Sequence, residues 1–281
     1  MTPEYFFELF MKELSSGKGD ELNAYYRFLE DDKKFNFRKK YFIERLGFIA
    51  KNITDKTESV WDCGSGYGTT GFYLALNGIK IYGSTIERYF KTYTDRRKYW
   101  SQFGDISLFT CNHEYFFDNP PDLRSFNIIL AQDTLHHLEP INDALKIFYD
   151  TLKDKGRIIV IEENGNNIIQ SLMLFRRRGN KRIVKIFDEV AKKDILVGNE
   201  NIRSLTTWRK LFASNGFSVF DDSVLYNRYY LPFYYKNKNL EYLMLKENNI
   251  QRKSYFRKKY FFFGLNFVAC KINKNNNEEN K

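Results

Sequence analysis

The sequence has few cysteines and no long hydrophobic run, and each shortage excludes a class of protein. Its cysteines are Cys63, Cys111 and Cys270, and no two of them have the spacing of a metal-binding pair. This argues against both a disulfide framework and a zinc site, and it favours a reducing, cytoplasmic location. The longest apolar run, residues 260–270, is far shorter than the ~20 residues of a membrane-spanning helix. We therefore expect no transmembrane segment.

Basic residues outnumber acidic ones, with 45 Lys and Arg against 35 Asp and Glu and a formal net charge of +10. Such a surface is compatible with nucleic acid, an anionic membrane surface, an acidic substrate, or no charged partner at all. Hydrophobic residues make up 43% of the 281 residues, which is enough to bury a sizeable core. Composition therefore indicates a globular protein but does not select its partner.

The pattern of apolar residues divides the chain into three regions. Residues 1–55 carry apolar side chains at helical spacing, which predicts an N-terminal helical extension or cap. Residues 56–272 alternate short apolar runs with amphipathic stretches, which is typical of parallel strands joined by crossover helices. Residues 273–281 are predicted to be a disordered tail. The central region therefore predicts an α/β domain with a doubly wound sheet.

Individual elements can be assigned within this domain. Strands are predicted at residues 59–63, 80–84, 106–111, 126–131, 156–162, 217–225 and 260–271, and helices at 69–76, 88–100, 141–152 and 208–215. After Glu163 the alternation breaks, and residues 164–205 are predicted to be an insertion that serves as a cap or an interface. It contains the basic run 176–182, and a strongly aromatic segment follows at residues 226–235.

A glycine-rich turn follows the first predicted strand. The sequence from Asp62 to Gly68 reads D-x-G-x-G-x-G and precedes an amphipathic helix. Glycines let a ligand approach the main chain closely, and the start of the helix exposes amide donors to an anionic group. A dinucleotide-binding turn has its third glycine one residue later, and a pyrophosphate would gain nothing from the Asp62 carboxylate. An ammonium group would donate to that carboxylate, so the turn favours an amino-acid ligand.

The turn resembles motif I of the class I S-adenosylmethionine-dependent methyltransferases, and residues 58–163 as a whole resemble that family. The resemblance implies a Rossmann-like domain, mostly parallel with an antiparallel last strand, that uses S-adenosyl-L-methionine as methyl donor and no metal. Thr85 stands where most members have aspartate, and Lys155 where a second glycine is common. The implied cofactor-binding positions are Asp62, Gly64, Ser65, Gly66 and Gly68 in the turn, Thr85 or Glu87 at the ribose, Asn112 and His113 near the adenine, and Ala131 and Gln132 at the end of the fourth strand.

Groups that can remove a proton follow the fourth and fifth strands, at the crevice where open α/β sheets bind ligands. Methyl transfer is an in-line displacement, so the enzyme aligns two reactants and, where needed, removes a proton. We predict His137 as the base, with His136 and Glu162 as further candidates, because histidine titrates near neutrality. Two alternatives stay open: neither histidine acts, or Asp133 joins both histidines in a metal-binding cluster.

We expect the insertion and the aromatic segment to select the methyl acceptor, because loops beyond the strand ends form the cap over such a crevice. Tyr25 and Tyr26 are candidates for a lid over the cofactor. We predict a small-molecule or lipid-linked acceptor, and the latter would bring the protein to a membrane surface. An RNA methyltransferase that uses the basic surface, and a non-catalytic cofactor-binding or scaffolding partner with the same fold, stay open as alternatives. The sequence does not indicate an oligomeric state.

Overall fold

The computed structural model describes residues 1–16, 20–30, 32–86, 88–236 and 238–272. Glu87, a predicted ribose contact, and the predicted disordered tail, residues 273–281, lie outside the described residues. Within the described ranges, no helix is long and apolar enough to cross a membrane.

The N-terminal extension consists of α1 (Pro3–Ser15), α2 (Asp20–Tyr26) and α3 (Asp32–Lys51). Helix α1 follows Thr2, whose side chain accepts a hydrogen bond from the Tyr5 amide, and Pro3 occupies its first turn. Its inner face is aromatic, and Phe6 stacks on Trp100 of the α/β domain with ring centroids 4.4 Å apart. The predicted helical extension is confirmed, and it packs directly on the domain.

The next region alternates strands and helices as the apolar pattern predicts. Its elements are β1 (Val60–Cys63), α4 (Thr69–Leu76), β2 (Ile81–Thr85), α5 (Tyr93–Trp100), β3 (Phe109–His113), β4 (Phe126–Gln132), α6 (Ile141–Thr151) and β5 (Leu152–Glu163). These five strands pair in parallel in the order β3-β2-β1-β4-β5. The order reverses between β1 and β4, which is where open α/β sheets bind ligands.

The rest of the chain adds a helix and a hairpin and then completes the sheet. Its elements are α7 (Ile168–Arg178), β6 (Ile183–Asp188), β7 (Lys193–Gly198), α8 (Leu205–Ser214), β8 (Phe217–Val219), β9 (Leu225–Asn227), α9 (Leu240–Lys253), α10 (Tyr255–Phe261) and β10 (Gly264–Lys271). Strand β10 runs antiparallel to β5 and pairs along its other edge with β8 and β9. The predicted Rossmann-like, mostly parallel sheet with an antiparallel last strand is confirmed.

Two hydrophobic clusters cover the two faces of this sheet. One joins the N-terminal helices to the sheet and contains Phe72 and Ile128, and the other contains Trp61, Ile129 and Phe148. The neighbours Ile128 and Ile129 fall in different clusters because successive side chains of a strand point to opposite faces. Both faces are therefore buried, which explains why the strands read as continuous apolar runs.

The last strand is shorter than the sequence predicts. It begins at Gly264, because Tyr260 and Phe261 belong to α10. Ser254 caps that helix by accepting a hydrogen bond from the Arg257 amide. The prediction that the strand begins at residue 260 was wrong because the Ser254 cap and the basic residues of α10 favour a helix there.

Other assignments change as well. The strand predicted at residues 106–111 is β3, Phe109–His113. The strand predicted at residues 217–225 is two short strands separated by a single 3-10 turn at residues 221–223. The predicted helix 88–100 begins as a 3-10 turn and becomes an α-helix only at Tyr93. Within the insertion, for which the sequence assigns no element, the chain forms α7 and the β6–β7 hairpin.

Candidate active site

A cavity of about 530 Å³ lies at the carboxyl ends of the parallel strands, where the strand order reverses. Its walls are the turn after β1, the end of β2, the segment that follows β3, the turn after β4, the β6–β7 hairpin and part of the N-terminal extension. The predicted site residues that line it are Gly64, Ser65, Gly66, Thr85, Gln132 and His137. The fold therefore brings together residues that the sequence analysis drew from separate segments.

The turn after β1 has left-handed backbone at its glycines, with φ of +79° at Gly64, +52° at Gly66 and +72° at Gly68. A Cβ at Gly66 would meet no atom within 4 Å, so this glycine borders open space. A Cβ at Gly64 would lie 2.6 Å from the Thr134 hydroxyl oxygen, so packing requires that glycine. Helix α4, which follows, has no side-chain cap at its N-terminus. Its first amides are therefore available to an anionic group of a ligand.

The Asp62 carboxylate is buried behind this turn and is only half satisfied. Its Oδ1 accepts a hydrogen bond from Gln132 Nε2 at 3.0 Å, while Oδ2 has no hydrogen-bond partner among the described residues. Thr70 donates to Gln132 Oε1 at 2.9 Å, which fixes the orientation of the amide. Burial raises the pKa of Asp62 to about 7, although the Gln132 hydrogen bond lowers it. An unpaired buried carboxylate oxygen costs free energy, and an ammonium donor would relieve that cost.

The side chains that the strand ends bring to the cavity differ in part from those that the family resemblance implies. Thr85 is buried and lines it. Asn112 and His113 are exposed and do not line it, and Ala131 is buried within the sheet. Glu114, which the sequence analysis missed, does line the cavity and accepts a hydrogen bond from the hydroxyl of Tyr82. Burial raises the pKa of Glu114.

His136 and Glu162 form a buried pair that does not line the cavity. His136 Nδ1 lies 2.6 Å from Glu162 Oε2, and the two side chains are 5% and 0% exposed. Burial lowers the pKa of His136, but the adjacent Glu162 carboxylate outweighs burial and raises the pKa to about 9. The imidazole is therefore protonated at neutral pH and does not accept a further proton.

His137 does line the cavity. Its Nδ1 lies 2.9 Å from the carbonyl oxygen of Gly198, in β7. A carbonyl oxygen only accepts hydrogen bonds, so Nδ1 carries the proton and Nε2 is the basic nitrogen of the neutral ring. The insertion therefore sets the orientation and the tautomer of this histidine.

Asp133 is engaged by the N-terminal extension rather than by the histidines. Its Oδ2 accepts hydrogen bonds from the Tyr41 hydroxyl at 2.7 Å and from Arg45 Nη1 at 3.1 Å, both in α3. In the described part of the chain, no group of three or more His, Cys, Asp or Glu is placed to hold a metal ion. Asp133, His136 and His137 therefore do not form the metal-binding cluster that the sequence left open as an alternative.

The β6–β7 hairpin and the turn after β4 give the cavity an apolar wall. The apolar side chains that line this wall are Leu138, Ile186, Ile195, Leu196 and Val197. Tyr25 of α2 also lines the cavity, while the Tyr26 hydroxyl lies 2.8 Å from Thr69 Oγ1. The aromatic segment, residues 226–235, does not line it.

Comparison with known proteins gives one family and many structures of the same fold. The family described as "Methyltransferase domain" matches residues 61–160, which run from β1 into β5. Among curated proteins, none matches the chain. A structure of S-adenosylmethionine-dependent methyltransferases from Methanosarcina mazei is 16% identical, with 80% of this chain and 97% of that chain covered and a TM-score of 0.52.

Two other structures of this fold carry more specific names. The 1,6-didemethyltoxoflavin-N1-methyltransferase of Burkholderia thailandensis, with 1,6-didemethyltoxoflavin and S-adenosylhomocysteine bound, is 12% identical. The superposition covers 97% of this chain and 92% of the Burkholderia chain, with a TM-score of 0.50. The [4+2]-cyclase SpnF is 16% identical over 86% of this chain and 85% of its own, with a TM-score of 0.53. At such identities the likeness shows the fold, so the chemistry rests on the family match and the turn.

The matched segment contains the glycine turn and the strands that carry the cavity. Residues 61–160 therefore form a methyltransferase domain, and the chain shares its fold with S-adenosylmethionine-dependent methyltransferases.

Proposed function

We propose that the protein transfers the methyl group of S-adenosyl-L-methionine to a small-molecule or lipid-linked acceptor that binds beneath the β6–β7 hairpin. The observation that carries this proposal is the contrast between the two sides of the cavity. One side is the glycine turn with its open space at Gly66, and the other is the apolar wall that includes Ile186, Ile195 and Val197. A polar cofactor and an apolar acceptor fit these two sides.

The donor end of the cavity fits the amino-acid end of the cofactor. The uncapped start of α4 suits its carboxylate, and the unpartnered Oδ2 of Asp62 suits its ammonium group. Thr85 and Glu114, at the ends of β2 and β3, line the cavity where we place the ribose hydroxyls. When bound, the cofactor supplies a methyl group activated by a sulfonium. The protein's residues then orient the acceptor and exclude water from it.

For an acceptor that must lose a proton, we assign the base to His137. Its Nδ1 donates to the Gly198 carbonyl, which leaves Nε2 to accept the acceptor's proton. His136 is unsuited because it already holds a proton and is buried against Glu162. The apolar wall favours an apolar acceptor over the phosphates and bases of RNA, which require cationic and stacking contacts.

The acceptor can be tested with radiolabelled methyl donor and purified protein, with the metabolite, lipid and RNA fractions of a cell extract offered separately. We expect label in the metabolite or lipid fraction, and none when a Gly66→Val variant replaces the wild type. Label confined to the RNA fraction would overturn the acceptor assignment. Failure of the wild type to bind S-adenosylhomocysteine in calorimetry would overturn the donor site.

A further inference from the structure

Helix α7 of the insertion carries its apolar side chains outward. Leu174 is buried against the fold, whereas five other apolar residues are between 37% and 64% exposed. These five residues, here termed the α7 face, are Ile168, Ile169, Leu172, Met173 and Phe175. At 100° per residue they span about 160° of the circumference, on the side away from Leu174. A helix that exposes a continuous apolar face is built to contact something other than its own chain.

The surroundings of the α7 face are cationic. Arg176 lies within the arc of the face, and Lys181 and Arg182 follow the helix; these three make no ion pair with any residue in the described ranges. Helix α10 packs beside α7 and exposes Tyr255 and Phe256. It also carries three consecutive cations, Arg257, Lys258 and Lys259.

The neighbouring hairpin is apolar on both of its sides. Ile186 lines the cavity, whereas Ile183 and Phe187, on the opposite side of the same strand, are 47% and 59% exposed. The insertion therefore offers apolar surface both inward, to the cavity, and outward.

We propose that the α7 face docks on an anionic lipid membrane, with its apolar side chains in the interface and the surrounding cations among the headgroups. An amphipathic surface of this composition binds membranes through apolar burial and attraction to anionic lipids together. RNA is disfavoured because four of the five side chains of the α7 face, all but Phe175, are not aromatic and neither stack on bases nor bind phosphate. A second copy is disfavoured because a two-fold contact across this face would bring its own cations together.

The test is sedimentation of the full chain with vesicles of phosphatidylcholine alone, and of phosphatidylcholine mixed with an equal amount of phosphatidylglycerol. We expect binding to the mixed vesicles only, weakening as salt is added. Arg176→Gln combined with Lys181→Gln should weaken it about 25-fold, at about fivefold per cation. Leu172→Ser combined with Met173→Ser should weaken it about tenfold or more. Leu123→Ser, which alters a leucine 74% exposed elsewhere, is the matched control and should bind as the wild type does.

Each other outcome overturns the proposal. Equal binding to both kinds of vesicle, or binding to neither, would remove the role of anionic lipid. Unchanged binding by the Leu172 and Met173 variant would show that the face is wrongly assigned. A dimer in analytical ultracentrifugation that this variant dissociates would make a second copy the partner. Calorimetry with S-adenosylhomocysteine on the same variants should be unchanged, so a failed donor site and a failed membrane face give different results.

Discussion

The buried carboxyl of Asp62 predicts that cofactor affinity depends on pH, and it predicts the direction of that dependence. Its pKa is raised to about 7 by burial, and Oδ2 is unpartnered within the described residues. If the ligand's ammonium group pairs with this oxygen, the ligand binds the ionised carboxylate best. Affinity should therefore rise as pH increases towards 7.5, because the proton must leave before the pair forms.

The magnitude follows from the fraction ionised. With a pKa of about 7, about 9% of the carboxyl is ionised at pH 6 and about 76% at pH 7.5, so Kd should fall about eightfold. Above about pH 8 the ligand's α-amino group begins to lose its own proton, and affinity should fall again. Binding at pH 6 should release about 0.9 proton per ligand, because the carboxyl ionises as the pair forms.

Titration calorimetry with S-adenosylhomocysteine, in buffers of different ionisation enthalpy, measures both quantities without turnover. The matched variant is Asp62→Asn, which keeps the size of the side chain and can still accept from Gln132. It should bind weakly, with an affinity that does not change between pH 6 and 7.5 and with no proton release. A wild-type affinity that is flat over this range, or an Asn variant with the wild-type slope, would refute the pairing.

Three further predictions concern the rest of the site. Gly66→Val should abolish S-adenosylhomocysteine binding in calorimetry. It should lower stability by about 2 kcal/mol, the cost of a side chain on left-handed backbone, because its Cβ meets no atom. Gly64→Ala, which clashes with Thr134, should lower the melting temperature further. His137→Gln should keep cofactor affinity and lower kcat about 10²-fold or more, and unchanged kcat would move the base elsewhere. The free energy of unfolding should fall by about 3 kcal/mol as pH rises from 6.5 through 9, because the pKa of His136 is raised and its pair with Glu162 is stabilising only while the imidazole is protonated. Denaturant titrations at several pH values measure this slope, and a His136→Phe variant should lose it.

The parts that could be predicted from the sequence are those fixed by local pattern. The turn from Asp62 to Gly68 was found because its glycines and carboxylate have a set spacing, and α4 was predicted with the bounds that it has. The parallel strands were found because burial on both faces makes each an apolar run. Glu114 was missed because the end of β3 was predicted two residues too early. Strand β3 ends at His113, two residues later than predicted, so the residue that reaches the cavity moves by the same amount.

The elements that were not predicted lack the regular spacing of buried apolar residues that marks a helix or a strand in a sequence. Helix α7 carries an apolar face, but that face points outward, so its spacing does not mark a contact with the core. Strand β6 has apolar residues on both sides, and its exposed Ile183 and Phe187 hide the alternation of a strand. His136 and His137 are neighbours in sequence, and only their tertiary partners, Glu162 and Gly198, separate a buried ion pair from a cavity-facing base.

Gly198 connects the insertion to the chemistry that the family domain carries. Its carbonyl accepts from His137 Nδ1, its amide donates to the His137 carbonyl at 2.9 Å, and a Cβ on it would lie 1.9 Å from the His136 carbonyl oxygen. The hairpin is thus held against the turn after β4 through the main chain, at a distance that only glycine permits. The family match ends at residue 160, yet the proposed base takes its tautomer from residue 198. The segment that forms the apolar wall therefore also orients the proposed base, so we expect substitutions in the hairpin to change acceptor binding and proton transfer together.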